Sequence, residues 1–184
     1  LADFLVQYPD VQVQLTLSDR FIDPIEEGFD VTVRIAQPQK TASLIVHELV
    51  PAKRVLCAAP TYLNVHGVPT HPTELSHHSC LHYGHLATEN QWTLIGADGE
   101  HTVSIHGALC SNNGEVLREA AIRGLGITLL PTFIVGEDLN QGILHTVLPD
   151  YHPPELTIYA IYPINRHLST KIRLFVDFLK ERFG

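Results

Sequence analysis

Hydrophobic and polar positions change their period along the chain, and each change marks an element. Leu1 to Tyr8 carries apolar residues at helical spacing and is stopped by Pro9, whereas Val11, Val13, Leu15 and Leu17 alternate with Gln12, Gln14 and Thr16 as in a half-buried strand. A short helix is predicted from Phe21 to Glu27, closed by Gly28. Val31, Val33 and Ile35 then alternate with Thr32 and Arg34, so this opening stretch reads as a βαβ unit with a parallel strand pair. Further strands are predicted at Leu44 to Leu49 and Lys53 to Ala58, followed by Pro60 at the first turn of a helix that Gly67 closes. Val68 to Ser79, rich in Pro, Thr and His, reads as a loop with a brief helix around Thr73 to Leu75. Gln91 to Leu94 and Thr102 to Ile105 flank Asp98-Gly99 as a hairpin. A helix at Val116 to Arg123, a strand at Ile127 to Leu130, a helix near Phe133 to Leu139, and strands at Ile143 to Val147 and Leu156 to Tyr162 follow. The last helix, Ser169 to Arg182, places Ile172, Phe175, Val176 and Leu179 on one face. Alternation of this kind predicts an α/β fold.

Composition narrows the class. With 184 residues and 45% hydrophobic content the chain is long enough for one domain or two small lobes with a real core. No run reaches the length of a membrane-spanning helix, and the start, Leu1-Ala2-Asp3-Phe4, lacks the basic and apolar stretches of a signal peptide. Beginning without Met and in mid-helix, the chain reads as part of a longer protein. Its formal charge of -8, from 12 Lys and Arg against 20 Asp and Glu, lacks the basic footprint of a phosphate-backbone binder, so any DNA contact is expected elsewhere. Cys57, Cys80 and Cys110 are odd in number and sit in apolar contexts, which predicts buried, reduced thiols in a cytoplasmic protein.

The segment Ser111-Asn112-Asn113-Gly114-Glu115 before the predicted helix carries the most chemistry. Asn112 as N-cap with Glu115 at N3 forms a capping box, and Gly114 leaves room for a ligand to approach the helix-start amides. Free amides and the helix dipole favour an anion there; the alternative is that Asn112 only caps the helix. His77, His78, Cys80, His82 and His85 are dense enough to suggest metal, but no second ligand pair at a familiar spacing completes a site, so no metal or cofactor is expected. The chain contains no Gly-x-Ser-x-Gly elbow, His-Glu-x-x-His pair or phosphate loop, which makes an enzyme the least favoured class.

Five strings occur in a telling order: Leu17 to Phe21 (LSDRF), Phe29 to Ile35 (FDVTVRI), Arg54 to Leu63 (RVLCAAPTYL), Gly124 to Pro131 (GLGITLLP) and Tyr162 to Ser169 (YPINRHLS). Together they resemble the effector-binding domain of LysR-type transcriptional regulators across essentially the whole chain. The resemblance implies a type 2 periplasmic-binding-protein-like fold: two α/β lobes joined by two crossover strands, with a small polar or anionic effector held between them. Lobe I would comprise 1–56 and 165–184 and lobe II 57–164, with crossings near Val55 to Ala59 and Tyr159 to Arg166. It also implies a DNA-binding winged helix-turn-helix, a linker helix and a first strand upstream of Leu1, and a homodimer or tetramer in which the helix ending at Tyr8 pairs with the helix Val116 to Arg123 of a partner.

A ligand in an open α/β sheet sits outside the carboxyl ends of the strands, where the family's effector regions also map. The expected effector residues are Ser18, Asp19, Ile35, Ala36 and Gln37 on one side. On the other they are Asn112, Asn113, Gly114, Pro131, Thr132 and Phe133. Arg34 either pairs a carboxylate of the effector or lines a solvated strand face, and Asp19 either faces the ligand or caps a helix. The rival function on the same architecture is an extracytoplasmic solute-binding protein serving transport.

Overall fold

The computed structural model describes residues 1–18, 23, 25–36, 43–84, 90–166 and 169–183. In chain order the elements are α1 (Ala2–Gln7), β1 (Thr32–Ala36), β2 (Leu44–Ala52), β3 (Arg54–Ala58), α2 (Pro60–His66), a 3-10 segment (Pro72–His77), β4 (Cys80–Tyr83), β5 (Gln91–Gly96), β6 (Gly99–Ser104) and β7 (Cys110–Ser111). They continue through α3 (Gly114–Ile122), β8 (Ile127–Pro131), α4 (Thr132–Asn140), β9 (His145–Val147), β10 (Leu156–Pro163), a short 3-10 turn (Ile164–Arg166) and α5 (Thr170–Phe183). Turn chemistry explains several bounds. Pro60 opens α2, and Gly67 ends it at a φ of 85°.

The chain divides into two compact units, Leu1–Ala52 with Leu156–Gly184, and Lys53–Glu155. Strand pairing explains these bounds. Strand β10 pairs along its whole length with β1 and β2, so it belongs to the first unit, while β3 pairs with β8 and β9 and belongs entirely to the second. The chain crosses at Lys53 and before Leu156, at the starts of the strands rather than within them.

In the first unit the sheet order is β1-β10-β2, antiparallel throughout. Ala160, Tyr162, Ile172 and Val176 form its core, joined by Val31, Ile45, Leu49 and Leu179. Phe175 instead turns to α1: its ring lies 5.0 Å from that of Phe4, which Phe178 also meets at 5.3 Å, so three aromatic rings seat the first helix. The expected parallel βαβ pair is not formed. Val11 to Leu17 contains no strand, and Val13, Leu15 and Leu17 are exposed. Alternation becomes a strand only where a neighbouring edge supplies partners for its amides and carbonyls. The described partner of β1 is β10, and the predicted helix from Phe21 falls largely outside the described residues.

The second unit holds a five-stranded sheet, β7-β4-β8-β3-β9, in which β4 runs parallel to β7 and β8 while β3 is antiparallel to β8 and β9. Its strands read as continuous apolar runs because both faces are covered. Leu56, Cys80, Ile127 and Leu129 face Tyr62, Leu75 and the β5–β6 hairpin with Trp92 and Leu94. Their neighbours Cys57, Leu81 and Leu130 face Leu117, Ala121 and Val135 of α3 and α4. Ala120 is buried in that second cluster, while Val116 on the same helix is exposed. Burial pushes the Cys57 and Cys80 thiols up to about 12, Cys57 also feeling the charge of Asp138, and so keeps both protonated and unreactive.

Candidate functional site

Because β4, β7 and β8 are parallel, their carboxyl ends share one edge of the second unit's sheet. That edge is where an open α/β sheet receives ligands. Two of its turns lead into helices. From β7 the chain passes Ser111, Asn112 and Asn113 into α3, and from β8 it turns at Pro131 directly into α4. The structure thus brings together Asn112, Asn113, Gly114, Pro131, Thr132 and Phe133. Phe133 is 61% exposed, so its ring is available as an apolar wall.

The details at α3 correct the sequence reading. The N-cap is Asn113, not Asn112: its Oδ1 accepts hydrogen bonds from the amides of Glu115 at 2.9 Å and Val116 at 3.2 Å, while Ser111 Oγ accepts from the Asn113 amide at 3.1 Å. Glu115 consequently falls at N2, where its carboxylate faces Arg118 at 3.6 Å instead of closing a capping box. Gly114 does not open space for a ligand either. A Cβ there would lie 2.5 Å from Cδ1 of Ile134, so this side chain of α4 packs closely on the start of α3 and a larger residue would have to move its end. Asn112 is exposed and takes no part in this capping arrangement.

Two interactions with no local sequence signature brace this edge. Arg118 on α3 donates from Nη2 to Asp138 Oδ1 on α4 at 2.7 Å, and from Nε to Oδ2. Asp138 is only 2% exposed, and its hydrogen bonds hold the Arg118 guanidinium above its usual pKa range. At the crossings, Arg54 pairs in register with Pro131 and donates from Nη2 to the carbonyl of Pro154 at 2.8 Å, while the Thr132 amide donates to Lys53 O at 2.9 Å. Burial lowers the pKa of Arg54, whose Nε is shielded and makes no hydrogen bond. Residues beside both crossings, Lys53 and Pro154, are therefore tied to the edge that carries Pro131 and Thr132.

In the first unit, β1 ends at its own crossover edge: Ala36 pairs with Thr157, and Ala52 with Leu156. Arg34 is half-buried opposite Tyr159, and Ile35 is exposed opposite Ile158. Ser18 is exposed and lies in no strand, while Asp19 and Gln37 lie outside the described residues. The histidine-rich stretch separates into different environments. His78 is buried with Nδ1 hydrogen-bonded to Tyr62 OH at 3.2 Å, that hydroxyl also accepting from the Ser79 amide at 2.8 Å, and His82 lies on β4. His85 is outside the described residues.

Two α/β units joined by paired crossings, with polar turns at the crossover edges, define a periplasmic-binding-protein-like sensor domain. The chain belongs to the LysR-type transcriptional regulators: residues 1–184 match the family's LysR substrate binding domain. It is 33% identical over 182 residues to the HTH-type transcriptional regulator DmlR of Escherichia coli K12, covering 96% of this chain and 57% of that one. Among solved structures, full-length AphB, the Vibrio cholerae virulence activator, superposes with a TM-score of 0.86 at 34% identity, over 100% of this chain and 62% of the other. The regulatory domain of CrgA from Neisseria meningitidis gives 0.87 at 29% identity, over 100% and 89%. The chain thus spans about three-fifths of its full-length relatives. It is an effector-binding domain of the regulator family, and the transport reading finds no support among relatives that are named transcriptional regulators. No described helix is long and apolar enough to cross a membrane.

Proposed function

We propose that the chain senses a small polar or anionic effector at the crossover edges of its two sheets, and that binding changes how a DNA-binding segment elsewhere in the whole protein engages its operator. The observation that carries this reading is the convergence of Asn112 and Pro131 to Phe133 on one carboxyl edge, bonded through Thr132 to the crossing at Lys53. A ligand held beside a crossing has differential contact with alternative arrangements of the chain there, which is the requirement for a binding event to shift a conformational equilibrium. Asn112 supplies donor and acceptor groups, Phe133 an apolar face, and Arg34 on β1 a cation for a carboxylate. In the first unit, taken by itself, the residues we propose for effector contact are Ser18, Asp19, Arg34, Ile35, Ala36 and Gln37. The whole protein acts in the cytoplasm as a homodimer or tetramer, an assembly that sedimentation equilibrium measures directly.

A thermal-shift screen of small carboxylates and aromatic acids tests the site. A ligand at 100 times its Kd stabilises the folded chain by about 2.7 kcal/mol. Asn112→Ala and Phe133→Ala remove exposed groups without touching the Asn113 cap, so they are expected to keep the ligand-free midpoint and to reduce the shift at least fivefold. A hit that stabilises both variants as well as the parent chain places the effector elsewhere.

A further inference from the structure

We propose that His71, Asp98 and His101, with Tyr151 orienting the carboxylate, form a binding site for a divalent transition-metal ion of the zinc class. All four residues belong to the second unit, and none lies at the proposed effector edge. Their ligand atoms converge although the sequence spreads them over three segments. His71 precedes the 3-10 segment Pro72–His77, Asp98 sits in the two-residue turn of the β5–β6 hairpin, and His101 follows it on β6. Tyr151 is delivered by the turn after β9, which a reciprocal pair of backbone bonds between Ile95 and His152, 2.8 and 3.0 Å, fastens to β5. Gly96 admits that ring: a Cβ there would lie 2.5 Å from Tyr151 Cε1.

The spacing is that of ligands around a common ion. Nε2 of His71 lies 3.3 Å and Nε2 of His101 3.1 Å from Oδ2 of Asp98, and all three ligand atoms fall within 4.8 Å of one another. Tetrahedral coordination with bonds of about 2.0–2.1 Å places neighbouring ligand atoms roughly 3.3 Å apart. Two imidazoles and one carboxylate suit zinc, cobalt or nickel, with a fourth position left to water.

Hydrogen bonding alone leaves this cluster unfinished. His101 Nε2 is shielded from solvent and, despite its closeness to Oδ2, sits off the line of a hydrogen bond and has no partner. The surroundings supply orienting bonds of the kind that metal ligands have. Tyr151 OH donates to Asp98 Oδ2 at 3.0 Å, and Thr73 Oγ1 lies 2.8 Å from His71 Nδ1, placed to accept its proton when Nε2 is given to the ion. That tautomer gives up the bond from the Thr73 amide and the hydrogen bond between His71 Nε2 and Asp98 Oδ2, both 3.3 Å, for coordination. Partial exposure of all three ligand side chains gives an ion access from solvent.

Zinc titration of the chain, free of any histidine tag and stripped with EDTA, tests the proposal by calorimetry and thermal shift. The expected result is one ion per chain and a raised thermal midpoint, with affinity at least tenfold weaker in His101→Ala and in Asp98→Asn and unchanged in His77→Ala/His82→Ala. Each variant's metal-free midpoint and far-UV circular dichroism report its folding. Histidine ring NMR of the parent chain locates the ion without any substitution, with His71 and His101 expected to shift first. Absence of saturable binding, affinity unchanged in His101→Ala and Asp98→Asn, or first shifts at other histidines overturns the assignment.

Discussion

Arg118 and Asp138 show what a single pair decides. They stand on different helices, and their bidentate contact ties the middle of α3 to the last turn of α4. Neither residue has a periodicity or motif that relates it to the other, so the pair was invisible in the sequence. The cap was legible in type but not in position. Two consecutive asparagines both satisfy the chemistry of an N-cap, and only the backbone shows that Asn113, extended at φ -118° and ψ 115°, turns its oxygen onto the amides. Removing Arg118 strands a carboxylate that is nearly solvent-free. Arg118→Ala is therefore expected to destabilise the chain by about 3 kcal/mol, whereas Arg118→Ala combined with Asp138→Asn recovers part of that loss because the buried charge is gone. Urea denaturation of the three proteins measures it; a single-variant loss below about 1 kcal/mol means that the pair is already screened by solvent.

At the scale of elements, periodicity identified most helices and strands to within a few residues, but it failed where a partner rather than a pattern decides. Val11 to Leu17 alternates well and forms no strand, while β1 pairs antiparallel to a strand more than a hundred positions later in sequence. Glycines show the same dependence on neighbours. A Cβ at Gly107 would lie 2.0 Å from the carbonyl oxygen of Cys80, and one at Gly126 would lie 2.3 Å from that of Ser79. The start of β4 is thus gripped between two backbones, with Cys80 N donating to His106 O at 2.7 Å and Ile127 N to Ser79 O at 2.8 Å. Gly136, inside α4, has nothing within 4 Å of its ideal Cβ. Three apparently equal Gly→Ala changes must then differ in sign. Gly107→Ala and Gly126→Ala force backbone apart and are expected to cost about 3 kcal/mol or more. Gly136→Ala removes the helix penalty of glycine and is expected to stabilise by about 0.5–1 kcal/mol. Thermal midpoints that move the same way for all three are inconsistent with this packing.

For the whole molecule, the α/β class was legible from alternating elements and the two-lobe plan from the ordered strings, whereas the bounds of each compact unit follow from strand pairing, which periodicity does not show. Histidine chemistry also acts at this scale, since each unit buries some. His47 in the first unit, and His78 and His82 in the second, are all held below the ordinary imidazole value near 6.5, chiefly by burial; Lys180 adds to the effect at His47 and His66 at His78. The unfolded chain therefore binds protons more readily than the folded one between the lowered values and about 6.5. Stability is fully present above that pH and is lost as the pH falls below it, levelling once the folded histidines are themselves protonated. Carboxylates such as Glu74, held low by hydrogen bonds from the Thr70 amide and hydroxyl, add their own loss only at more acidic pH. The thermal midpoint is accordingly expected to be flat from pH 8 to about 7 and to fall steadily from about 6.5 to 5. His78→Gln, which stays neutral, is expected to flatten that slope even if it lowers the midpoint at pH 7. A midpoint that does not change between pH 7 and 5, or a slope untouched by the substitution, shows that these imidazoles are solvated in the folded chain.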